Sequence, residues 1–491
     1  MLGLLQQKLA AVKGCYSMDF LEGWLLYMQD RGQAWVVGGA LRDHLLGLPT
    51  SELDLVITIA PAALPTALWQ QTAHSFWLDE TRQILRAIEP NGQSFDIAPL
   101  QGEDIHADLS CRDFTVNAMA MTLSEWIGNR EALIDPRSGK QDLAARRLRL
   151  VSPNALLDDP VRVLRGVRLA VEKQLILEPP IVKQMREVSS QLPAQAAERL
   201  TVELSRILMH PLAAAGADLL AQVGATESLF PEVWAMQKVT QNKYHQFTVS
   251  EHSRRAFAAF VSIIHTGHYL TAKAQAWFAD YWHELSPSLQ AATMFAAWLH
   301  DIGKPPARVI RKGRVTFYDH EQVGAEMAVA IAKRLRLSNA QQELIKCFVR
   351  LHMYPMQLWR TEKFGPQLIH RFYQRAGQYG PLIVVFTLAD YLAKGDNLAG
   401  TQEFAAHKQV VEDFLKAYFC QQAELVNPEP LLNHNEMMEV ANQAPGAWLR
   451  QARRELLEAQ AAGQVQSREQ AVRWLQDWWQ QQATRHKGRP Y

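Results

Sequence analysis

From about Asp159 to the C-terminus, apolar residues recur at 3.6-residue spacing almost without interruption, in stretches such as Ala197 to Leu208 and Gly324 to Leu335. That period commits most of the chain to helices with one buried face. Proline-containing breaks at Glu178 to Pro180 and Val426 to Pro430 punctuate the pattern, because proline cannot continue a helix. Only Ala34 to Met121 reads differently. There, short β-branched runs (Trp35-Val36-Val37, Leu53 to Ile59, Ile84 to Ile88, Ser94 to Ala98) lie between helical patterns, the signature of a small α/β domain. The expected class is α+β, a small α/β head followed by an all-helical remainder. At 491 residues and roughly 100–200 residues per domain, three or four packed units are expected.

Composition narrows the class without naming a partner. An apolar fraction of 48% and a charged fraction of 21% suit a soluble globular chain rather than a disordered one. The 51 Lys and Arg balance the 50 Asp and Glu, which leaves a nucleic-acid partner open, since that needs only a local basic face. Cys15, Cys111, Cys347 and Cys420 show no CxxC spacing; a thiolate zinc site and a disulfide framework are not expected, and a reducing cytoplasm fits. Met1 to Leu25 mixes charged residues and Gln into its apolar positions, unlike a signal peptide. Asp390 interrupts the apolar run Leu382 to Ala393, short of the roughly 20 residues a membrane helix needs.

Two features of the head bear on chemistry. Gly38-Gly39 follows a strand-like run and precedes a helical one, so backbone N–H groups can approach a triphosphate at a helix N-terminus. The same pair also suits a plain strand-to-helix turn. Next comes Glu52-Leu53-Asp54, where strand alternation puts both carboxylates on one face. Paired acids of this kind hold the Mg²⁺ ions of two-metal phosphoryl transfer. Asp96, in Ser94-Phe95-Asp96-Ile97, is the natural third carboxylate from a neighbouring strand.

The string GGALRDHLLGLPTSELDLV resembles the first motif of class II tRNA nucleotidyltransferases and bacterial poly(A) polymerases, GGxxRDxLLGxxxxDxD, whose head is a small polymerase beta-like domain. The resemblance implies catalysis by Glu52, Asp54 and Asp96, metal binding by Glu52 and Asp54, and nucleotide binding by Gly38, Gly39, Arg42 and Asp43. Glu52 stands where the pattern has Asp. LSCRDFTVNA, residues 109–118, resembles RRDFTINA and implies that Arg112, Asp113 and Asn117 contact the nucleotide; Cys111 stands where Arg is common. Ile134-Asp135-Pro136 with Gly139 and Asp142-Leu143 resembles the motif joining head to neck. Asp158-Asp159-Pro160-Val161-Arg162 resembles EDxxR. An acid and a guanidinium one turn apart can pair with the Watson–Crick edge of a base, or form an ordinary surface ion pair. Asp159 and Arg162, with Arg165 and Arg168 beyond them, are the expected base- and nucleotide-binding set. Glu198-Arg199-Leu200 with Glu203-Leu204 resembles the ERxxxEL helix and is expected to be structural.

Further on, WLHDIGK at Trp298 to Lys304 resembles the HD metal-phosphohydrolase signature. His252 upstream and His320, His352 and Asp390 downstream complete an H…HD…H…H…D order with His300 and Asp301. Imidazole with carboxylate suits Mn²⁺, Ni²⁺, Co²⁺ or Fe²⁺, with His252, His300, Asp301 and Asp390 on a first ion and His320 and His352 on a second or on phosphate. The resemblance extends through Ser467-Arg468-Glu469-Gln470-Ala471 towards Leu475. Trp474, Trp478, Trp479 and the basic run Arg485 to Arg489 either stack on and neutralise RNA or pack a Trp stripe inward.

The expected division is a head at 1–150, a neck at 151–230, an HD domain at 231–410 and C-terminal tRNA-binding helices at 411–491. The implied partners are tRNA, CTP and ATP, with Mg²⁺ in the head. Three readings stay open: addition of CCA, CC, A or poly(A); an RNA-binding protein whose transferase has decayed, as Glu52 and Cys111 would allow; and an HD phosphohydrolase acting on RNA ends.

Overall fold

The computed structural model describes residues 18–50, 52–65, 72–128, 130, 132–240, 247–311, 314–361 and 364–487. The expectation for Met1 to Leu25 falls mostly outside these residues. Two compact units divide the chain: Met1–Ile207 with Asp218–Leu229, and Leu208–Ala217 with Phe230–Tyr491.

The first unit carries a six-stranded sheet in the order β3-β4-β5-β2-β1-β6, with β1 Ala34–Val37, β2 Glu52–Ile57, β3 His74–Asp79, β4 Ile84–Ile88, β5 Ser94–Pro99 and β6 Ala120–Thr122. Four of these are the strands expected from β-branched runs, although β2 stops at Ile57. The other two escape a sequence pattern for physical reasons. β6 has only three residues, and β3 lies at the sheet edge with no buried residue, so neither shows in–out alternation. β2 and β5 run parallel, while β1, β4 and β6 pair antiparallel with their neighbours. One sheet face is sealed by Leu53, Leu55, Leu85, Phe95 and Ile97, all buried, and this leaves the opposite face to carry polar residues. The neck helix Arg162–Lys173 and all but the last two residues of the neck helix Ala197–Met209 belong to the same compact unit. Val163, Leu164, Val167 and Leu204 form their buried stripe.

The second unit is helical, with one correction to the all-helix expectation: Val309–Arg311 and Arg314–Thr316 form a two-stranded antiparallel hairpin. Several of its helices start where the sequence supplies caps. Thr248 accepts the Glu251 N–H at 3.2 Å, and Ser338 with Gln341 makes a reciprocal capping box, each satisfying N–H groups a helix end leaves over. Phe260, Phe348 and Phe386 pack edge-to-face or tilted at the centre, with ring centroids 5.0–6.1 Å apart. The C-terminal Trp stripe packs inward: Trp478 is buried with Leu456 and Leu475, while Trp474 and Trp479 lean on the same cluster. The side chains of Arg485 to Arg489 lie outside those described. Among the described residues, no helix is long and apolar enough to cross a membrane.

Candidate active site and candidate metal centre

Sheet register builds the first site. Asp54 on β2 pairs in register with Asp96 on β5, and Asp96 pairs with Arg86 on β4, so the three side chains share the polar face. Glu52, two residues before Asp54, joins them. Arg86 donates from Nε and Nη2 to the two oxygens of Asp96 at 2.6 and 2.7 Å, and lies 3.9 Å from Glu52 Oε1. The sequence reading missed Arg86. Its signal was present, a single charged residue at the centre of the otherwise apolar run Ile84 to Ile88.

Burial, then the neighbouring charges of Asp96 and Glu52, push the Asp54 carboxyl above its usual range against the pull of Arg112 and the Gly39 N–H. Such crowding favours a cation. Gly39 N–H donates to Asp54 Oδ2 at 3.2 Å, and Gly38, at φ +69°, would bring an added Cβ to 2.7 Å from that oxygen. The glycine pair therefore lets the backbone reach the carboxylate, which any side chain at residue 38 would obstruct.

The carboxylates border a cleft of about 720 Å³ lined by head and neck residues, among them Arg112, Arg162 and Arg165. All the expected nucleotide-binding side chains line it except Asp159. Most are already held. Arg42 donates to Asp43 and Asn117, at 2.9 and 2.7 Å, and Asp43 also meets Lys173 at 2.9 Å. Arg112 is braced on Asp108 at 2.9 Å. Asp113 accepts from Phe114 N–H, Asn117 and Arg165 at 2.7, 3.1 and 3.2 Å. Burial alone would raise Asp113, but Arg165 and these hydrogen bonds hold it below the usual carboxylate range.

The expected Asp159–Arg162 pair is loose. Their closest approach is 4.0 Å, because each has other partners. Asp159 accepts from Arg199 at 2.6 Å, while Arg162 donates to the carbonyls of Ala155, Cys111 and Arg112 at 3.1–3.4 Å. The ERxxxEL helix thus supplies contacts as well as support. Its buried Glu203 accepts from Arg165 at 3.3 Å and from Arg168 at 2.6 Å, and Arg168 also grips Glu172 at 2.8 Å. Sequence reasoning gave Arg199 and Glu203 no partner, since theirs lie 35–40 residues away.

The second unit assembles the other constellation completely. His252, His300 and Asp390 form one group, and Asp301, His320 and His352 another, each with ligand-capable atoms within 4.8 Å of one another. Asp301 faces both: its Oδ2 lies 3.3 Å from His300 Nε2, and its Oδ1 lies 3.5 and 3.8 Å from Nε2 of His320 and His352. This places Asp301 between the groups rather than in the first alone. All four imidazoles engage a backbone carbonyl through Nδ1, those of Ala393, Ala297, Phe317 and Val349, at 2.7–3.1 Å. That contact fixes the ring and leaves Nε2 as the ligand atom. Nε2 of His300 and of His320 is buried without a hydrogen-bond partner, so the donor set fits divalent metal.

Lys304 Nζ lies 2.6 Å from Asp301 Oδ2. Despite burial, Lys304 and His300 hold the Asp301 carboxyl well below its usual range, whereas burial and then His300 push His352 down to about 3. Gly303, two residues after Asp301, lets the backbone there lie directly against that of His320 and Gly324. A Cβ there would sit 2.0 Å from the His320 carbonyl oxygen.

Comparison with known proteins separates these parts in the same order. Residues 34–149 match the family described as "Poly A polymerase head domain", 174–237 "Probable RNA and SrmB- binding site of polymerase A", and 275–395 "HD domain". The chain is 32% identical to an A-adding tRNA nucleotidyltransferase of Deinococcus radiodurans, over 91% of this chain and 95% of the relative. It is 30% identical to a CC-adding tRNA nucleotidyltransferase of Thermus thermophilus, over 91% and 93%. Its fold resembles that of the Bacillus stearothermophilus CCA-adding enzyme solved with CTP, with a TM-score of 0.62, 17% identity, and coverage of 96% of this chain and 98% of the other. Head, neck motifs and HD cluster thus fall along one continuous likeness, and the chain belongs to the tRNA nucleotidyltransferase and poly(A) polymerase family, among its members that carry an HD domain.

Proposed function

We propose that this chain adds C and/or A residues from CTP and ATP to the 3′ end of tRNA, in the cytoplasm, by two-metal phosphoryl transfer in the first unit. The observation that carries the reading is the carboxylate set Glu52, Asp54 and Asp96 on one sheet face, beside a cleft whose other wall is cationic. Glu52 and Asp54 would hold Mg²⁺, which supplies activation of the attacking hydroxyl and neutralisation of the leaving pyrophosphate. The chain's own groups do the positioning. Gly39 N–H fixes Asp54, Arg86 fixes Asp96, and Arg112 and Arg165 face the triphosphate from anchored stems. Arg162, which lines the cleft and is held by backbone carbonyls, would meet the base, with Asp159, held by Arg199, at its margin. The division of labour is a head at 1–150, a base-selecting neck at 151–230, an HD domain at 231–410 and tRNA-binding helices at 411–491.

Purified protein given tRNA lacking its 3′ end, Mg²⁺ and labelled CTP or ATP extends the RNA; no incorporation of either nucleotide refutes the reading. Product sequencing from tRNAs ending before C, after CC and after A separates CCA, CC, A and poly(A) addition. Glu52→Asp tests decay of the transferase, since activity rising from near zero would support it.

A second reading rests on the four converging Nε2 atoms of the HD cluster: metal-dependent hydrolysis of 2′,3′-cyclic or terminal phosphate on RNA ends. His252, His300, Asp301, Asp390, His320 and His352 would hold Mn²⁺, Ni²⁺, Co²⁺ or Fe²⁺. The double substitution His300→Ala, Asp301→Ala then abolishes phosphate release while nucleotide addition continues. Equal hydrolysis by parent and double mutant, or none by the parent with any of these metals, removes this reading.

A further inference from the structure

The edge strand β3 exposes three consecutive large apolar side chains, Phe76, Trp77 and Leu78, at 47%, 39% and 48%. Scattered apolar residues on a surface are ordinary, and strand alternation turns Trp77 to the face opposite Phe76. Register decides which of them faces the chemistry. Phe76 pairs with Arg86, Arg86 with Asp96, Asp96 with Asp54, and Asp54 with Val37. Residues opposite one another in a sheet project to the same face, so Phe76 stands on the carboxylate face at the outer end of this row. Leu78, rather than Phe76 itself, lines the cleft that the carboxylates border. At about 4.8 Å per strand, β3 is roughly 10 Å from β5, within one nucleotide's reach of Asp96.

The row has a direction. Its β1 end runs into Gly38 and Gly39, beside the guanidinium of Arg112, which is the cationic, amide-rich side suited to triphosphate. In an in-line displacement, the attacking hydroxyl and the leaving pyrophosphate lie on opposite sides of the reacting phosphorus. With pyrophosphate on the β1 side, the 3′-hydroxyl must approach from the β4–β3 side. There Arg86 is already held by Asp96, and Phe76 offers the uncovered ring, a face on which a base of single-stranded nucleic acid stacks.

We propose that Phe76 is the stacking platform for a base at the 3′ end of the RNA primer, with Leu78 closing its margin. The inference rests on the transferase reading above and assigns the primer side of that site. Phe76 touches the RNA base and not the incoming nucleotide, so its effects separate by substrate.

The test uses the full chain and a tRNA shortened at its 3′ end whose terminal base is 2-aminopurine. Binding to the parent quenches the fluorophore by stacking; Phe76→Ala abolishes the quench and Phe76→Tyr keeps it. Phe76→Ala raises KM for the RNA by about 5- to 100-fold, the worth of one stacked base, and leaves KM for CTP or ATP unchanged. Because Phe76 is exposed, its loss leaves Tm unchanged, which removes misfolding as an explanation. Unchanged RNA KM and quench in Phe76→Ala overturn the proposal, as does an equal rise in both KM values. A parent that quenches but incorporates nothing overturns the transferase reading and leaves the stacking site standing. A parent that binds no RNA overturns both.

Discussion

Arg86→Met removes the guanidinium that grips Asp96 while keeping most of the apolar stem. In the parent, both oxygens of Asp96 are engaged at 2.6 and 2.7 Å, and Glu52 lies 3.9 Å away. Unit charges 4 Å apart interact by about 4 kcal/mol at an effective dielectric of 20 and about 1 kcal/mol in bulk water. The Arg86 and Asp96 side chains are 25% and 20% exposed, so a value of about 1–3 kcal/mol is appropriate. A divalent ion must compete with this built-in neutralisation. Arg86→Met therefore lowers the half-saturating Mg²⁺ concentration for nucleotide incorporation by about 5- to 100-fold. It also lowers kcat, by up to about 100-fold, because Asp96 loses the fork that orients it. Arg86→Lys keeps a charge without the fork, so its Mg²⁺ dependence stays near the parent's while kcat still falls. Initial rates of labelled CTP or ATP incorporation across a Mg²⁺ series give both quantities. An unchanged half-saturating Mg²⁺ in Arg86→Met refutes the electrostatic argument.

Three further outcomes follow from the same geometry. Asp54 has a raised folded-state carboxyl, so its contribution to stability is present below its unfolded value of 3.8 and is lost as pH rises through the folded one; Asp54→Asn, which mimics the protonated form, raises Tm at neutral pH in EDTA while abolishing incorporation, and a lower Tm would contradict this. Glu203→Gln leaves Arg165 and Arg168 with one acidic partner each, Asp113 and Glu172, and costs the first unit about 1.5–3 kcal/mol, read as a lower midpoint in thermal denaturation together with a higher KM for nucleotide. Phe386 is fully buried and its ring centroid lies 4.9 Å from that of His300; Phe386→Ala costs about 3–5 kcal/mol and weakens Mn²⁺ binding in calorimetry, whereas destabilisation with unchanged Mn²⁺ affinity would show that the ring does not help hold the ligand in place.

Local patterns in the sequence determined a great deal. The two-residue period of a strand put Glu52 and Asp54 on one face, the 3.6-residue period made the remainder helical, and the order of His and Asp named all six members of the HD cluster before any fold was known. The first two are short-range consequences of backbone geometry, readable wherever the spacing is intact; the HD set was named through resemblance to a family signature spread from His252 to Asp390. Tertiary structure decided which distant groups complete each site. Arg86 reaches Asp96 only through the β4–β5 register, and Phe76 reaches the same row through β3, a strand with no buried face to betray it. Asp159 lies three residues before Arg162 yet is held by Arg199, and Glu203, expected to be structural, anchors two of the cleft's arginines. The Trp stripe, open to RNA on sequence grounds, turned inward because a cluster containing Leu456 and Leu475 was there to receive it. Backbone hydrogen bonds of a ladder are the same for every residue pair. Register, and with it the choice of charge partner, is therefore set by how whole elements bury their apolar faces rather than by any spacing along the chain.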